Sequence, residues 1–137
     1  SVGDLLPFEL TGTAANSELI KGVVEGVGAK TSTANSTGTN LGALSATQTL
    51  YAALHVTAFS GTSPTLDVLI ESDSGSGFGT ASSRVSFAQN TGSIQSQWVS
   101  VNGAVTDTYW RSKMTIGGTG PSFTVYITLG IGSLAIS

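Results

Sequence analysis

Few residues in this sequence are suited to nucleophilic or acid–base chemistry. His55 is the single histidine, and the chain contains no cysteine. A Ser-His-Asp triad would require His55, one of 20 serines, and an acid drawn from Asp67, Asp73 or Asp107. No serine stands in a Gly-x-Ser-x-Gly turn, which exposes the nucleophile in α/β-hydrolases. We therefore predict a protein without catalytic residues, not an enzyme, in which His55 is a surface or interface residue.

Metal and cofactor sites are not predicted either. The stretch 71–75, Glu-Ser-Asp-Ser-Gly, alternates oxygen donors before a glycine as a calcium loop does. It lacks the third ligand position and the distal glutamate, so we interpret it as a solvated hairpin loop. The glycine-rich stretches do not follow the strand–Gly-x-Gly-x-x-Gly–helix order of a nucleotide site. Without cysteine, disulfides and thiolate-bound zinc are excluded.

The composition limits the partners as well. Charged residues make up 9% of the 137 residues, and serine and threonine take their place with 20 and 19 copies. The net charge is −3 with five basic residues, too few to neutralise a run of phosphates, so we expect no nucleic-acid partner. No apolar run is long enough to span a bilayer, and the N-terminus lacks the pattern of a signal peptide. We expect a soluble product that does not bind membranes.

Alternation of apolar and polar residues predicts β-strands along most of the chain. Within 65–70, Leu66, Val68 and Ile70 fall on one face and Asp67 on the other, the pattern of a strand with one buried face. Similar strand-length runs are 50–59, 82–89, 94–103, 108–116 and 122–131. We also favour a strand over a helix within 17–28, and we expect a polar linker or long loop over 30–40. Short strands separated by turns at these intervals indicate an all-β antiparallel sandwich or barrel.

One stretch of twelve residues, which we call the repeated phrase, occurs twice in altered form. The stretch 59–70, FSGTSPTLDVLI, returns at 116–127 as IGGTGPSFTVYI. We expect the glycine- and proline-containing segments 60–64 and 117–121 to be hairpin loops. Since a hairpin cannot bury its apolar face alone, the two copies are predicted to mark two equivalent corners of a β-sandwich rather than two binding sites.

The aromatic residues supply the candidate interaction surface. Trp98, Tyr109 and Trp110 could line a sugar-binding platform, but Trp110 alternates in phase with apolar residues and is predicted to lie in the core. Tyr51, Tyr109 and Tyr126 are predicted to face outward. Outward tyrosines serve sugar binding and protein interfaces, and we favour a protein interface.

The N-terminal residues differ from the rest of the chain. We predict an extended arm over residues 1–15, followed by a single β-sandwich domain over 16–137. The arm offers four apolar side chains for docking elsewhere: Leu5, Leu6, Phe8 and Leu10.

A resemblance adds to this pattern. The chain has a Leu-Gly-Ala-Leu entry at 41–44, His-Val-Thr at 55–57 and Ser-Gly-Thr-Ser-Pro-Thr-Leu at 60–66. Ser-Asp follows at 72–73, Tyr-Trp-Arg at 109–111 and a Thr-Ile-Gly-Gly-Thr-x-Pro-Ser-Phe run at 115–123. In these motifs residues 40–131 resemble a group of small virion proteins of tailed bacteriophages, of the head decoration, or cement, type. The motifs are structural and name no active site.

The resemblance implies a β-sandwich of jelly-roll type that binds the outside of a capsid and reinforces contacts between capsomers. The implied partners are the major capsid protein and further copies of the chain, as a dimer or trimer. The protein would be made in the host bacterial cytoplasm and located on the capsid surface of the virion. The rival prediction is a tail- or surface-associated module that binds carbohydrate or a host receptor.

Overall fold

A computed structural model describes residues 22–133. This part of the chain is all-β and antiparallel, which confirms the predicted fold class. The strands are β1 (Gly22–Lys30), β2 (Ala34–Asn35), β3 (Thr39–Asn40), β4 (Gln48–Asp73), β5 (Ser82–Ser86), β6 (Gln95–Asn102) and β7 (Tyr109–Ser133). No helix with the length and apolarity needed to cross a membrane occurs between residues 22 and 133. The predicted N-terminal arm, residues 1–15, lies outside the described residues.

Two long strands organise the sheet. β4 and β7 pair antiparallel from Gln48 opposite Ser133 to Asp73 opposite Tyr109. The register shifts three times between residues 56 and 65 of β4, at the midpoint of the pair. Such irregularities bend and twist strands, and here they divide one continuous sheet into two layers.

Each layer contains one half of each long strand. The first layer has the order β1, second half of β7, first half of β4, β6. The second layer has β2 and β3 beside the first half of β7, then the second half of β4, then β5. Counting each long strand as two and β2 with β3 as one gives two four-stranded layers, which is the arrangement of a jelly roll.

The core lies between the layers. Inward residues of both layers form one buried cluster, which includes Leu50, Leu54, Val56, Leu66, Val68, Ile70, Trp110, Met114, Phe123, Val125, Ile127 and Leu129. The alternation seen in the sequence therefore identified the buried faces correctly. Trp110 is fully buried and donates its indole N–H to the carbonyl oxygen of Gly42 at 2.9 Å, so its predicted core position is confirmed.

The predicted hairpins are wrong. Neither 60–64 nor 117–121 closes a hairpin, because each is the bent middle of one long strand. The two copies of the repeated phrase bond to each other, with Thr62 opposite Thr119 and Thr65 opposite Gly117. They form one shared corner rather than two separate ones. Period-2 alternation identifies the buried face of a strand but not the strand's partner, which explains the error.

The other predicted strands are confirmed where the structure describes them. β1 covers the described part of the predicted strand 17–28, and β5 and β6 fall within the runs 82–89 and 94–103. The polar segment 30–40 is more ordered than predicted, because β2 and β3 add two short pairings to the edge of β7.

Glycine is required where the two copies of the phrase meet. Gly118 has a φ of 109°, and a Cβ there would lie 2.7 Å from the carbonyl oxygen of Ser63. Gly61 has a φ of 111°, and its Cβ would lie 2.8 Å from the carbonyl oxygen of Gly120. Gly120 has a φ of 58° and open space around it. The corner therefore demands close backbone approach at two glycines and only a left-handed conformation at the third.

Alanine substitutions should separate these two demands. We expect Gly118→Ala to lower the free energy of unfolding by about 2 to 4 kcal/mol, because strain in φ and a backbone clash add together. Gly120→Ala is the matched control and should cost about 1 kcal/mol, because it carries only the left-handed strain. Urea unfolding of both variants measures the difference. Equal losses would contradict the close approach of the two strands at the corner.

Candidate functional site

The outer side of the first layer carries four of the six exposed large apolar side chains in residues 22–133, and the other two are Phe59 and Ile94. We call it the uncharged face, and we define it by six outward side chains: Val24, Val27, Tyr51, His55, Trp98 and Tyr126. Trp98 is 71% exposed, Val24 59%, Val27 51% and Tyr126 43%. Large apolar side chains grouped on one face of a monomer indicate an interaction site.

Strand register places these side chains together. One row across the layer consists of Val24, Thr128, Ala53 and Trp98, each directly opposite the next. Directly paired residues of antiparallel strands point to the same side of the sheet. The row therefore has valine at the β1 edge, two small residues in the centre and tryptophan at the β6 edge.

A second row lies one pleat further along. It consists of Val27, Tyr126, His55 and Ser96. The imidazole Nδ1 of His55 lies 2.8 Å from the hydroxyl oxygen of Ser96. Because directly paired side chains lie about 5 Å apart, the rows form one continuous surface across four strands.

No Asp, Glu, Lys or Arg belongs to the outward positions that β1, β4, β6 and β7 contribute to this face. The single carboxylate in the middle of β1, that of Glu25, is turned away and buried, where it accepts a hydrogen bond from the Ser36 hydroxyl at 2.9 Å. Glu25 sits at a β-bulge between Val24 and Gly26, and the bulge allows this change of direction. The face therefore presents hydroxyl groups, apolar groups and the imidazole of His55.

The outer side of the second layer has the opposite character, because its charged groups pair with one another. The Arg111 guanidinium contacts the carboxylate of Glu71 at 2.9 Å, and the Lys113 ammonium lies 3.7 Å from the other oxygen of Glu71. The Phe78 ring covers Arg111, with 4.3 Å from the guanidinium carbon to the ring centre, a cation–π contact. These charged groups are therefore paired with residues of the same chain, and the loop that carries Phe78 covers Arg111.

A second charged cluster, which we call the Asp107 cluster, consists of Ser72, Arg84 and Asp107. The hydroxyl of Ser72 donates to the carboxylate of Asp107 at 2.7 Å, and the Arg84 guanidinium donates to the same oxygen at 2.8 Å. The Ser72 and Arg84 hydrogen bonds hold the pKa of Asp107 below its ordinary value. These contacts join β4, β5 and the segment before β7, so the cluster has a structural role.

The predicted solvated loop is confirmed in part. Residues 74–80 form turns, but Glu71 and Asp73 still belong to β4 and are buried. The carboxylate of Asp73 accepts hydrogen bonds from the backbone N–H groups of Thr80 at 2.8 Å and of Gly75 at 3.2 Å. These bonds lower its pKa, with the Thr80 bond the largest cause. The Asp73 oxygens thus close the loop, and residues 22–133 contain no group of three acidic or histidine side chains placed to hold a metal.

The triad components do not meet. Asp67 and Asp73 belong to the second layer, and Asp107 is bonded to Ser72 and Arg84. His55 lies in the first layer with Ser96 as its hydrogen-bond partner. Sequence reasoning missed Ser96, since no local signal links two residues 41 positions apart; the pairing of β4 with β6 brings them together.

The predicted interface residues are divided between surfaces. Tyr51 and Tyr126 both lie on the uncharged face, whereas Tyr109 lies on the second layer, opposite Asp73. All three are at least partly exposed, which confirms their outward orientation. Trp98, considered only for a sugar platform, is the most exposed aromatic residue of this face. Leu5, Leu6, Phe8 and Leu10 lie outside the described residues.

Comparisons with known proteins add little to this picture. No family model matches the sequence, and no curated protein matches it. One solved structure, of Bacillus endospore appendages described as a family of disulfide-linked pili, contains a chain that is 16% identical. The alignment covers 92% of this chain and 99% of that chain, with a TM-score of 0.39. A likeness at this level carries no argument about function.

The Asp107 cluster predicts a specific acid sensitivity. Because the folded pKa of Asp107 is lowered, its contribution to stability is complete above the unfolded value of about 4 and is lost as the pH falls through the folded value. We expect Asp107→Asn to lower the urea midpoint at pH 7 and to flatten the loss of stability below pH 4.

The matched control is Asp67→Asn, which removes an exposed carboxylate that accepts hydrogen bonds from the Gln89 amide. Urea midpoints of the wild type and of both variants, measured between pH 7 and pH 2, test this prediction. If the urea midpoint of Asp107→Asn falls below pH 4 as steeply as that of the wild type, the Asp107 cluster does not make the predicted contribution to stability.

Proposed function

We propose that this protein is a non-enzymatic structural protein of a tailed-bacteriophage virion. In this proposal it decorates the capsid, binds the outer shell formed by the major capsid protein and stabilises contacts between capsomers. The resemblance of residues 40–131 to small phage virion proteins supports the proposal from the sequence. The observation that carries it furthest is the uncharged face, on a domain whose two arginines each form an ion pair with a carboxylate of the same chain.

A decoration protein needs a stable compact domain and a surface that adheres through many copies. The sandwich meets the first need with one continuous core. The uncharged face serves the second need by joining copies of the chain to one another, because apolar and hydroxyl groups can be covered by another protein surface without the cost of desolvating a charge. On a symmetric shell, weak contacts of single copies add up to durable attachment.

In the proposal, attachment to the shell uses the N-terminal residues 1–15. Leu5, Leu6, Phe8 and Leu10 supply the apolar side chains that this contact would bury. The chain would be made in the bacterial cytoplasm and reach the capsid surface during assembly.

Copy number is the first test. Quantitative mass spectrometry of purified virions should give hundreds of copies, in a whole-number relation to the major capsid protein. A handful of copies would place the protein at the tail or a vertex instead of over the shell. Its absence from virions would overturn the proposal altogether.

Deletion of residues 1–15 is the second test. We expect the shortened protein to lose most of its binding to undecorated capsids, measured by co-sedimentation, because the apolar contact is gone. A full-length variant with serine at positions 5, 6, 8 and 10 is the matched control, since it keeps the length and removes only the apolar groups. Unchanged binding by both variants would show that the arm does not attach the protein.

One observation favours the rival function, a carbohydrate-binding module. Tyr51 and Trp98 are diagonal neighbours on adjacent strands, with Ser96 and Ser100 beside them. Aromatic rings and hydroxyl groups on a face without charge fit a neutral sugar. Calorimetric titration of the protein with neutral oligosaccharides tests this function. If the face binds sugar, the wild type should release heat of binding, and Trp98→Ser should not.

A further inference from the structure

We infer that the uncharged face is the site at which a second copy of this chain docks, through the same face on both copies. The inference deepens the proposed function by assigning the surface for self-association. It does not require a capsid, because it concerns two isolated chains. Three properties of the face favour this partner: its charge, the order of its side chains and its area.

The charge distribution favours self-contact at this face. The chain carries a net charge of −3, so two copies repel each other at long range. The paired carboxylates and cations of the second layer and of the Asp107 cluster lie away from the uncharged face. Contact between two uncharged faces therefore separates the charges of the two copies and desolvates none of them.

The order of side chains is self-complementary. A two-fold axis parallel to the strands, between β4 and β7, reverses the order of strands in the second copy. It places the β6 edge of one copy over the β1 edge of the other. Trp98 of one copy then lies over Val24 of the other, and Thr128 of one copy lies over Ala53 of the other. Large side chains meet medium ones at both edges, and small side chains meet in the centre.

The area fits a weak, reversible dimer. β4 and β6 pair over eight positions, from Thr49 to Val56. Eight positions at about 3.3 Å and four strands about 4.8 Å apart give a face of about 500 Å². Two such faces bury about 1,000 Å² in total, which is below the range of stable interfaces and within that of weak, transient ones.

A charge-swap experiment tests the inference on the full chain. Thr128 faces outward near the proposed axis, so Thr128→Lys places like charges close together in a dimer, and Thr128→Glu does the same. We expect each variant alone to associate at least about tenfold more weakly than the wild type in sedimentation equilibrium, while a mixture of the two recovers association. Recovery in the mixture requires that position 128 of one copy lies close to position 128 of the other, as the axis between β4 and β7 would place them.

Two further variants test whether association depends on the uncharged face in particular. Trp98→Ser should weaken association as the single Thr128 variants do, because it removes the largest apolar group of the face. Leu69→Ser is the matched control, since Leu69 faces outward on the second layer, opposite Lys113, and should leave association unchanged. Thermal unfolding of each variant confirms that the domain is intact.

Several results would overturn the inference. A wild-type chain that stays monomeric at millimolar concentration would do so, and so would single variants that weaken association without recovery in the mixture. Binding of a neutral oligosaccharide to a monomeric chain, lost in Trp98→Ser, would reassign the face to carbohydrate. Failure to bind capsids by a chain that still dimerises would count against the proposed function alone.

Discussion

The backbone pairing of β4 with β7 is the constraint on which the rest of the structure depends. These two strands run beside each other through a common bend, and every other strand pairs with one of them: β1, β2 and β3 with β7, and β5 and β6 with β4. Because both strands pass from one layer to the other, a single pairing fixes the register of both layers. The repeated phrase lies at the bend, where two glycines allow the backbones to approach closely.

The same topology separates the charged residues from the apolar surface. Each long strand contributes its uncharged half to the first layer and its charged half to the second, where Glu71 pairs with Arg111. One outer side is therefore occupied by internal ion pairs and a covering loop, and the other offers valines, hydroxyl groups and aromatic rings. The fold therefore keeps its internal ion pairs and its exposed apolar groups on different sides of the sandwich.

The motifs that carry the resemblance to phage virion proteins are accounted for by the fold. Residues 60–66 and 115–123 form the shared corner, and Tyr-Trp-Arg at 109–111 supplies both a core tryptophan and the arginine of the charged side. The motifs thus describe how the sandwich is built. The uncharged face draws on residues outside these motifs, such as Trp98 and Val24.

Alternation at period two depends only on neighbouring residues, so it was enough to predict the class of fold and the buried side of most strands. It predicted that Trp110 is buried and that Tyr51 and Tyr126 face outward, and the structure confirms both. Which strands pair became known from the three-dimensional fold alone. That choice depends on contacts between residues far apart in the chain, such as Ala53 with Trp98 and Thr62 with Thr119. For this reason the sequence predicted two hairpins where there is one bent pair, and it could not place Val24, Tyr126 and Trp98 on one face.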